Sequence, residues 1–247
     1  MIASLPMYDR PETATANDRF WAAIRSALGF GPETLDRAIG LWEAWEHPEL
    51  LLSQTCGLPY RAHLHGKVSL VGSPDYDLPG CPPGYYNSVL ITRTDQPGDF
   101  ADLAPRRVAI NQSHSQSGCA SLLNHAAVQG IVLGPMTETG AHVASARAVA
   151  EGQADLAAID AHTWRIICAY EPWAAALREI GRTDPTPATP YITHPSNDAE
   201  ALASAMAQAL AELPDEVRQV LGLRAIVAVP AEAYLAVATP KNPANAA

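Results

Sequence analysis

Four cysteines, Cys56, Cys81, Cys119 and Cys168, are spread through 247 residues, and no two form a C-x-x-C pair. That is too few for a disulfide scaffold and too dispersed for a zinc or thiol-redox motif, so no structural metal is expected. Long apolar runs are absent as well. Runs such as Leu50–Leu52 and Ile226–Val229 fall far short of the roughly 18 residues that span a bilayer, which excludes membrane insertion through a helix. Positive charge is scarce: 16 Lys+Arg stand against 26 Asp+Glu, a net charge of -10. Such a chain offers no broad cationic face to a nucleic acid or an anionic lipid, and its expected partner is a small molecule. Neither G-x-x-x-x-G-K-[ST] nor G-x-G-x-x-G occurs, which argues against a nucleotide enzyme, and no cofactor is expected. A basic stretch followed by an apolar one, the mark of a secretory leader, is also missing. Met1–Tyr8 reads instead as a short strand broken by Asp9-Arg10-Pro11-Glu12, so the sequence as it stands would remain in the cytoplasm.

What is present is a well-supplied core. Hydrophobic residues make up 48% of the chain, enough for one large domain or two small lobes. Strand and helix patterns alternate. Leu50–Gln54, Val68–Gly72, Ser88–Arg93, Arg107–Asn111, Ala154–Asp160 and Tyr191–Thr193 read as strands. Between and around them, Asn17 is placed to cap a helix bearing Phe20, Ala23, Ile24, Ala27 and Leu28. Ser117 is placed to cap one bearing Cys119, Leu122, Leu123, Ala126 and Ala127. Helical spacing also covers Val143–Glu151, Trp164–Ala169, Trp173–Leu177 and Asp198–Leu213, the last stopped by Pro214. This alternation predicts an α/β protein with mixed, largely parallel sheets, whose ligands bind in loops at the carboxyl ends of strands. Pro240–Ala247 reads as a frayed tail.

Three such loops carry candidate chemistry. In Ala109–Ala120 a strand leads through Ser113-His114-Ser115-Gln116-Ser117 to Gly118 at a helix start. Backbone N–H groups, hydroxyls and the positive end of the helix dipole converge there, a geometry suited to an oxyanion without a formal cation. The competing reading is a serine cap beside a solvated loop. Thr139–Ser145 repeats the design, with His142 at a helix N-terminus as a further donor, or alternatively as a histidine satisfied by backbone. Asp160 ends a strand, where it captures a ligand amine or caps the following helix.

Ser117, His142 and Asp160 are also the residue types of a hydrolase triad. The loop has serines where the G-x-S-x-G elbow needs glycines, which argues against that chemistry. His63-Leu64-His65 alternates like two metal ligands but has no third at recognisable spacing. Cys56 and Cys81, both in Gly/Pro-rich loops, are candidates for a disulfide in an oxidising compartment or are two separate thiols.

Taken in order, these segments resemble the substrate-binding proteins of phosphate, phosphite and phosphonate ABC importers. The matching stretches are Leu52–Pro59, Gly80-Cys81 with Tyr86-Asn87-Ser88, Ala109–Asn111, Ser115–Gly118, Thr139–Ser145 and Gly152–Asp160. The resemblance implies a two-lobed type 2 periplasmic-binding fold with a hinge. Lobe 1 would be residues 1–93 plus 184–247 and lobe 2 residues 94–183, closing on a ligand in an interlobe cleft. It implies a cradle of Ser115, Ser117 and the Gly118 amide for phosphonate or phosphate oxygens, with His142 as a donor and Asp160 as the acceptor for an amine or a protonated oxygen. Tyr8, Gln54 and Thr55 are the matching ligand-binding positions of the first lobe. A cysteine follows Gly118 where relatives often carry an aromatic residue, implying a wider pocket or a different ligand.

The expectation is therefore a monomeric, non-enzymatic solute-binding protein that serves an ABC transporter permease. Its family setting is the periplasm. The alternative is a cytoplasmic enzyme or ligand sensor on the same fold.

Overall fold

The computed structural model describes residues 1–240, so most of the predicted tail lies outside the described residues. The chain divides into two compact units, Met1–Tyr85 with Pro187–Ala236, and Tyr86–Thr186 with residues 237–240. The crossings thus fall at 85/86 and 186/187 rather than near Arg93 and Asp184. The reason lies in pairing: the whole strand Ser88–Arg93 is built into the sheet of the second unit, between Leu156–Asp160 and Leu177–Arg182. A two-stranded ribbon of Tyr85–Tyr86 and Thr186–Pro187 marks the crossings.

The first unit is built on a five-stranded sheet in the order Ile2–Ser4, Leu50–Gln54, Tyr191–Thr193, Ser69–Asp75, Ala225–Val227. Its first pair is parallel and the others are antiparallel. Leu50–Gln54 is buried along its whole length, as its unbroken apolar run requires of a strand covered on both faces. Helices Ala14–Leu28 and Ala199–Glu212 pack against one another on this unit. The second begins one residue after Asp198, whose carboxylate caps it by accepting from the Glu200 and Ala201 amides at 3.0 Å each. The first helix starts earlier than Asn17 predicted. It begins at Ala14, and Asn17 is a buried residue of its second turn, donating to Asp9 at 3.0 Å. Trp45, Leu50, Tyr60, Leu64, Val68, Ile192 and Tyr234 form a core on this unit.

The second unit has a five-stranded sheet in the order Met136–Glu138, Val108–Ile110, Leu156–Asp160, Ser88–Arg93, Leu177–Arg182. Val108–Ile110 runs parallel to both of its neighbours, while Ser88–Arg93 pairs antiparallel on both sides. The sheets are therefore mixed and less parallel than expected. Strand Leu177–Arg182 escaped the sequence reading. Its alternating burial marks an edge strand with one wet face, and Trp173–Leu177 before it is a short 3₁₀ turn rather than a regular helix. Leu90, Val108, Ile110, Leu156 and Ala158 meet Phe100, Leu103, Cys119, Leu122 and Ala126 from the helices in one core. No helix among the described residues is long and apolar enough to cross a membrane.

Candidate functional site

The second unit gathers the oxyanion candidates at the carboxyl ends of its parallel strands. Val108–Ile110 ends at Asn111, and the chain then loops through Ser113 into a wide π-type turn, Gln116–Ala120, that continues as helix Ser121–Val128. The cap of this helical run is Ser115, not Ser117. Its Oγ accepts the Gly118 amide at 3.1 Å, which satisfies one of the donors that a helix start leaves orphaned. Ser117 is thereby released from capping. Its hydroxyl, in a residue only 3% exposed, meets His142 Nε2 at 2.8 Å, and its carbonyl accepts from the Ser88 hydroxyl at 2.7 Å. Two beginnings of helices are thus joined by one side-chain hydrogen bond, because His142 opens helix His142–Ala150.

Burial pushes the His142 imidazole well below its ordinary value, to about 4, and the Ala158 carbonyl offsets only part of this. The ring is consequently neutral at pH 7. Its Nδ1 is buried without a partner of hydrogen-bond geometry. In the neutral ring Nε2 either donates to the Ser117 hydroxyl or accepts from it, according to the tautomer. Gly140, whose amide donates to the Asn111 carbonyl at 2.7 Å, has φ of +88°. This left-handed turn, which favours glycine, brings the His142 helix back beside Asn111.

Asp160 sits at the end of Leu156–Asp160, opposite Ser88 in the antiparallel register. One of its carboxylate oxygens accepts the His162 and Thr163 amides at 2.8 and 2.9 Å, capping helix Ala161–Tyr170. This is the capping reading of Asp160. A Ser-His-Asp triad is not assembled: Asp160 does not orient His142, whose Nδ1 lacks a partner. Cys119 turns away from the nest into the core, where burial pushes its thiol up to about 11. It neither widens a pocket nor acts as a nucleophile.

Sequence reasoning missed Asn111 as a site residue. It is 8% exposed, yet its Oδ1 has no hydrogen-bond partner, a condition that costs about 1–3 kcal/mol for a buried polar group. The available signal was its position, the residue after a strand and before the serine-rich loop.

In the first unit the predicted residues also converge. Gln54, at the end of its strand, donates through Nε2 to the Thr189 carbonyl at 3.1 Å, Thr189 Oγ1 at 3.0 Å and the Tyr76 hydroxyl at 3.3 Å. Tyr8 closes the short turn Pro6–Tyr8. Its hydroxyl lies 3.4 Å from Thr189 Oγ1, and its ring meets the edge of Tyr76 with centroids 5.2 Å apart. Thr55 is fully buried with its Oγ1 unpartnered. Tyr76 and Thr189 were not singled out from sequence, because they sit far apart in the chain and neither belongs to a motif.

The remaining candidates resolve differently. His63 Nε2 lies 2.7 Å from Glu46 and His65 Nδ1 lies 3.3 Å from the Tyr60 hydroxyl, so the two histidines serve separate local contacts. Cys56 and Cys81 are both thiols and are not bridged.

A model of the family described as "ABC transporter, phosphonate, periplasmic substrate-binding protein" matches residues 68–234, more than half of the chain. The chain belongs to this phosphonate substrate-binding family. Its members are solute-binding components of ABC transporters, not enzymes, which removes the hydrolase alternative, and they are normally periplasmic. No curated protein sequence matches it. Solved structures agree on the fold. PhnD1 from Prochlorococcus marinus in complex with methylphosphonate superposes with a TM-score of 0.76 at 13% identity, over 94% of this chain and 93% of that one. The binding component of an ABC phosphonate transporter from Pseudomonas aeruginosa gives 0.68 at 13% identity, over 95% and 83%. A Xanthomonas citri protein bound to chloride gives 0.69 at 12% identity, over 94% and 92%. The α/β type 2 periplasmic-binding fold with mixed sheets is the shared architecture.

Proposed function

We propose that this binding protein captures an organophosphonate, phosphate or similar tetrahedral oxyanion for an ABC importer. One observation carries the reading: Ser117 Oγ, beside Gly118 at a helix start capped by Ser115, is 2.8 Å from a neutral His142 that opens a second helix. Hydroxyl protons of Ser115 and Ser117 and the Gly118 amide are the proposed donors, His142 in its Nε2–H form is proposed to orient the Ser117 oxygen, and Asp160 is the proposed acceptor for a ligand amine or protonated oxygen. In the first unit, Tyr8, Gln54 and Thr55 are the proposed ligand-binding residues.

The energetics support an uncharged cradle. Micromolar affinity corresponds to about -8.2 kcal/mol, and hydrogen bonds to a charged group contribute about 1.5–3 kcal/mol each, so a few of them suffice after the costs of ordering. A protein of net charge -10 thereby holds an anion without a formal cation, through dipoles fixed by the fold. With the family normally exported, we place its working compartment in the periplasm and its downstream partner in a membrane permease.

Calorimetric titration with phosphate, phosphite, methylphosphonate and 2-aminoethylphosphonate tests the proposal. Saturable heat with at least one of them is expected, and none with any would remove it. Replacing Asp160 by Asn in the same titrations separates the two roles of that carboxylate. Loss confined to the amino-phosphonate identifies amine recognition.

A further inference from the structure

Asn111 is out of place in any account that ends with serines and a histidine. Its side chain is more than nine-tenths buried, and its amide oxygen Oδ1 makes no hydrogen bond within the protein. Native interiors pair such groups, and one left open points to a missing partner. Its direction is fixed by Gly118. A methyl group placed on that glycine would run into Asn111 Oδ1 and lie 3.0 Å from the ring carbon Cε1 of His142. The amide oxygen and the imidazole therefore both border the hydrogen side of Gly118, where any larger side chain is shut out. The helical run entered there is continuous from Gln116 to Val128, so the amide oxygen faces its first turn.

The chemistry of this corner is mixed. Ser115, Ser117 and the Gly118 amide can give protons, whereas an amide oxygen can only take one. An acceptor beside a nest of donors repels a bare oxyanion oxygen and welcomes a hydroxyl. We infer that Asn111 is a specificity-determining residue of the oxyanion site, its Oδ1 accepting a hydrogen bond from a P–OH, so that the protein selects an oxyanion that still carries a proton. The inference rests on the oxyanion reading above and goes beyond it by naming which ionised form is bound.

Methylphosphonate and methanesulfonate isolate the effect. Held at a pH below the second ionisation of the phosphonate, they are tetrahedral methyl monoanions of similar shape, and only the phosphonate has a hydroxyl to donate. Calorimetry at that single pH is expected to show methanesulfonate binding the unaltered protein roughly tenfold to a hundredfold more weakly, the worth of one hydrogen bond to a charged partner. Asn111→Leu, which keeps the volume and deletes the acceptor, should lower methylphosphonate affinity by a similar factor and leave methanesulfonate nearly unchanged, so that the preference collapses. Asn111→Asp, which keeps an acceptor, should weaken both ligands through charge and preserve the preference.

Equal affinity of the unaltered protein for the two ligands overturns the inference while leaving oxyanion binding intact, since the amide would then present its Nδ2. A preference undiminished in Asn111→Leu also overturns it and passes the role to Asp160. Absence of heat from the unaltered protein with methylphosphonate, phosphite and phosphate alike defeats the underlying reading and this inference together. Unfolding midpoints of both variants, compared with the parent, identify any loss that comes from misfolding, and equal affinity of the unaltered protein for the two ligands overturns the inference without them.

Discussion

At the scale of single residues, the site depends on what each side chain is relieved from doing. Because Ser115 caps the helical run, Ser117 is left to pair with His142. Replacing Ser117 by Ala removes a ligand donor and strands the imidazole, so methylphosphonate affinity is expected to fall about tenfold to a hundredfold in calorimetry. An unchanged affinity would take Ser117 out of the site. His142 brings a pH dependence of its own. Its folded value of about 4 lies below the 6.5 of an exposed histidine, so between these values the unfolded chain binds the proton that the folded one refuses. Stability is therefore complete above about pH 6.5 and is lost as the pH falls toward 4. The ring is only half-buried by its surface exposure, so about 3 kcal/mol is the ceiling for this loss. Urea midpoints measured across that range should converge for the parent and His142→Gln at low pH and separate at neutral pH. Parallel curves would refute the depressed histidine.

Elements carry their own consequences, and Asp160 shows how a functional residue can be a structural one. Its carboxylate closes the start of Ala161–Tyr170 through two amides, a cap whose removal costs about 1 kcal/mol. Asp160→Ala is expected to lose that much in urea unfolding, while Asp160→Asn, also a capping side chain, stays within a few tenths of the parent. If both variants unfold alike, the cap is not what holds this turn. Strands and helices with a strong pattern were legible in the sequence: Leu50–Gln54 and Ser88–Arg93 match to the residue, and Ala199–Glu212 lies one residue inside its predicted span at each end. Elements without their own signal were not. Leu177–Arg182 alternates weakly and exists as a strand because Ser88–Arg93 offers it an edge. Ala225–Val227 is likewise three residues recruited by Ser69–Asp75.

For the whole molecule, binding should appear as stabilisation, because a ligand that prefers the folded state shifts the unfolding equilibrium by mass action. At a hundredfold excess over its dissociation constant it adds about 2.7 kcal/mol. For a chain of this size that raises the midpoint by roughly 5–10 °C. A thermal scan with methylphosphonate, phosphite and phosphate should find this shift with at least one of them, and a flat response to all would contradict the proposed function. The position of the crossings belongs to this scale as well. Polar and proline-rich connectors drew them near Arg93 and Asp184, but the division lies at 85/86 and 186/187. A boundary follows the sheet that a strand joins, and pairing partners far away in sequence decide that.

By itself the sequence determined the class of the protein and the order of its main strands and helices. These follow from local causes: periodicity, capping residues and a net charge that excludes polyanions. The tertiary structure alone decided that Ser115 rather than Ser117 is the cap, that Cys119 points into the core, and that Asn111 stands unpaired over Gly118. Which way a side chain faces and what it meets are set by neighbours brought together across strands. No spacing along the chain encodes the hydrogen bond that a buried amide fails to find.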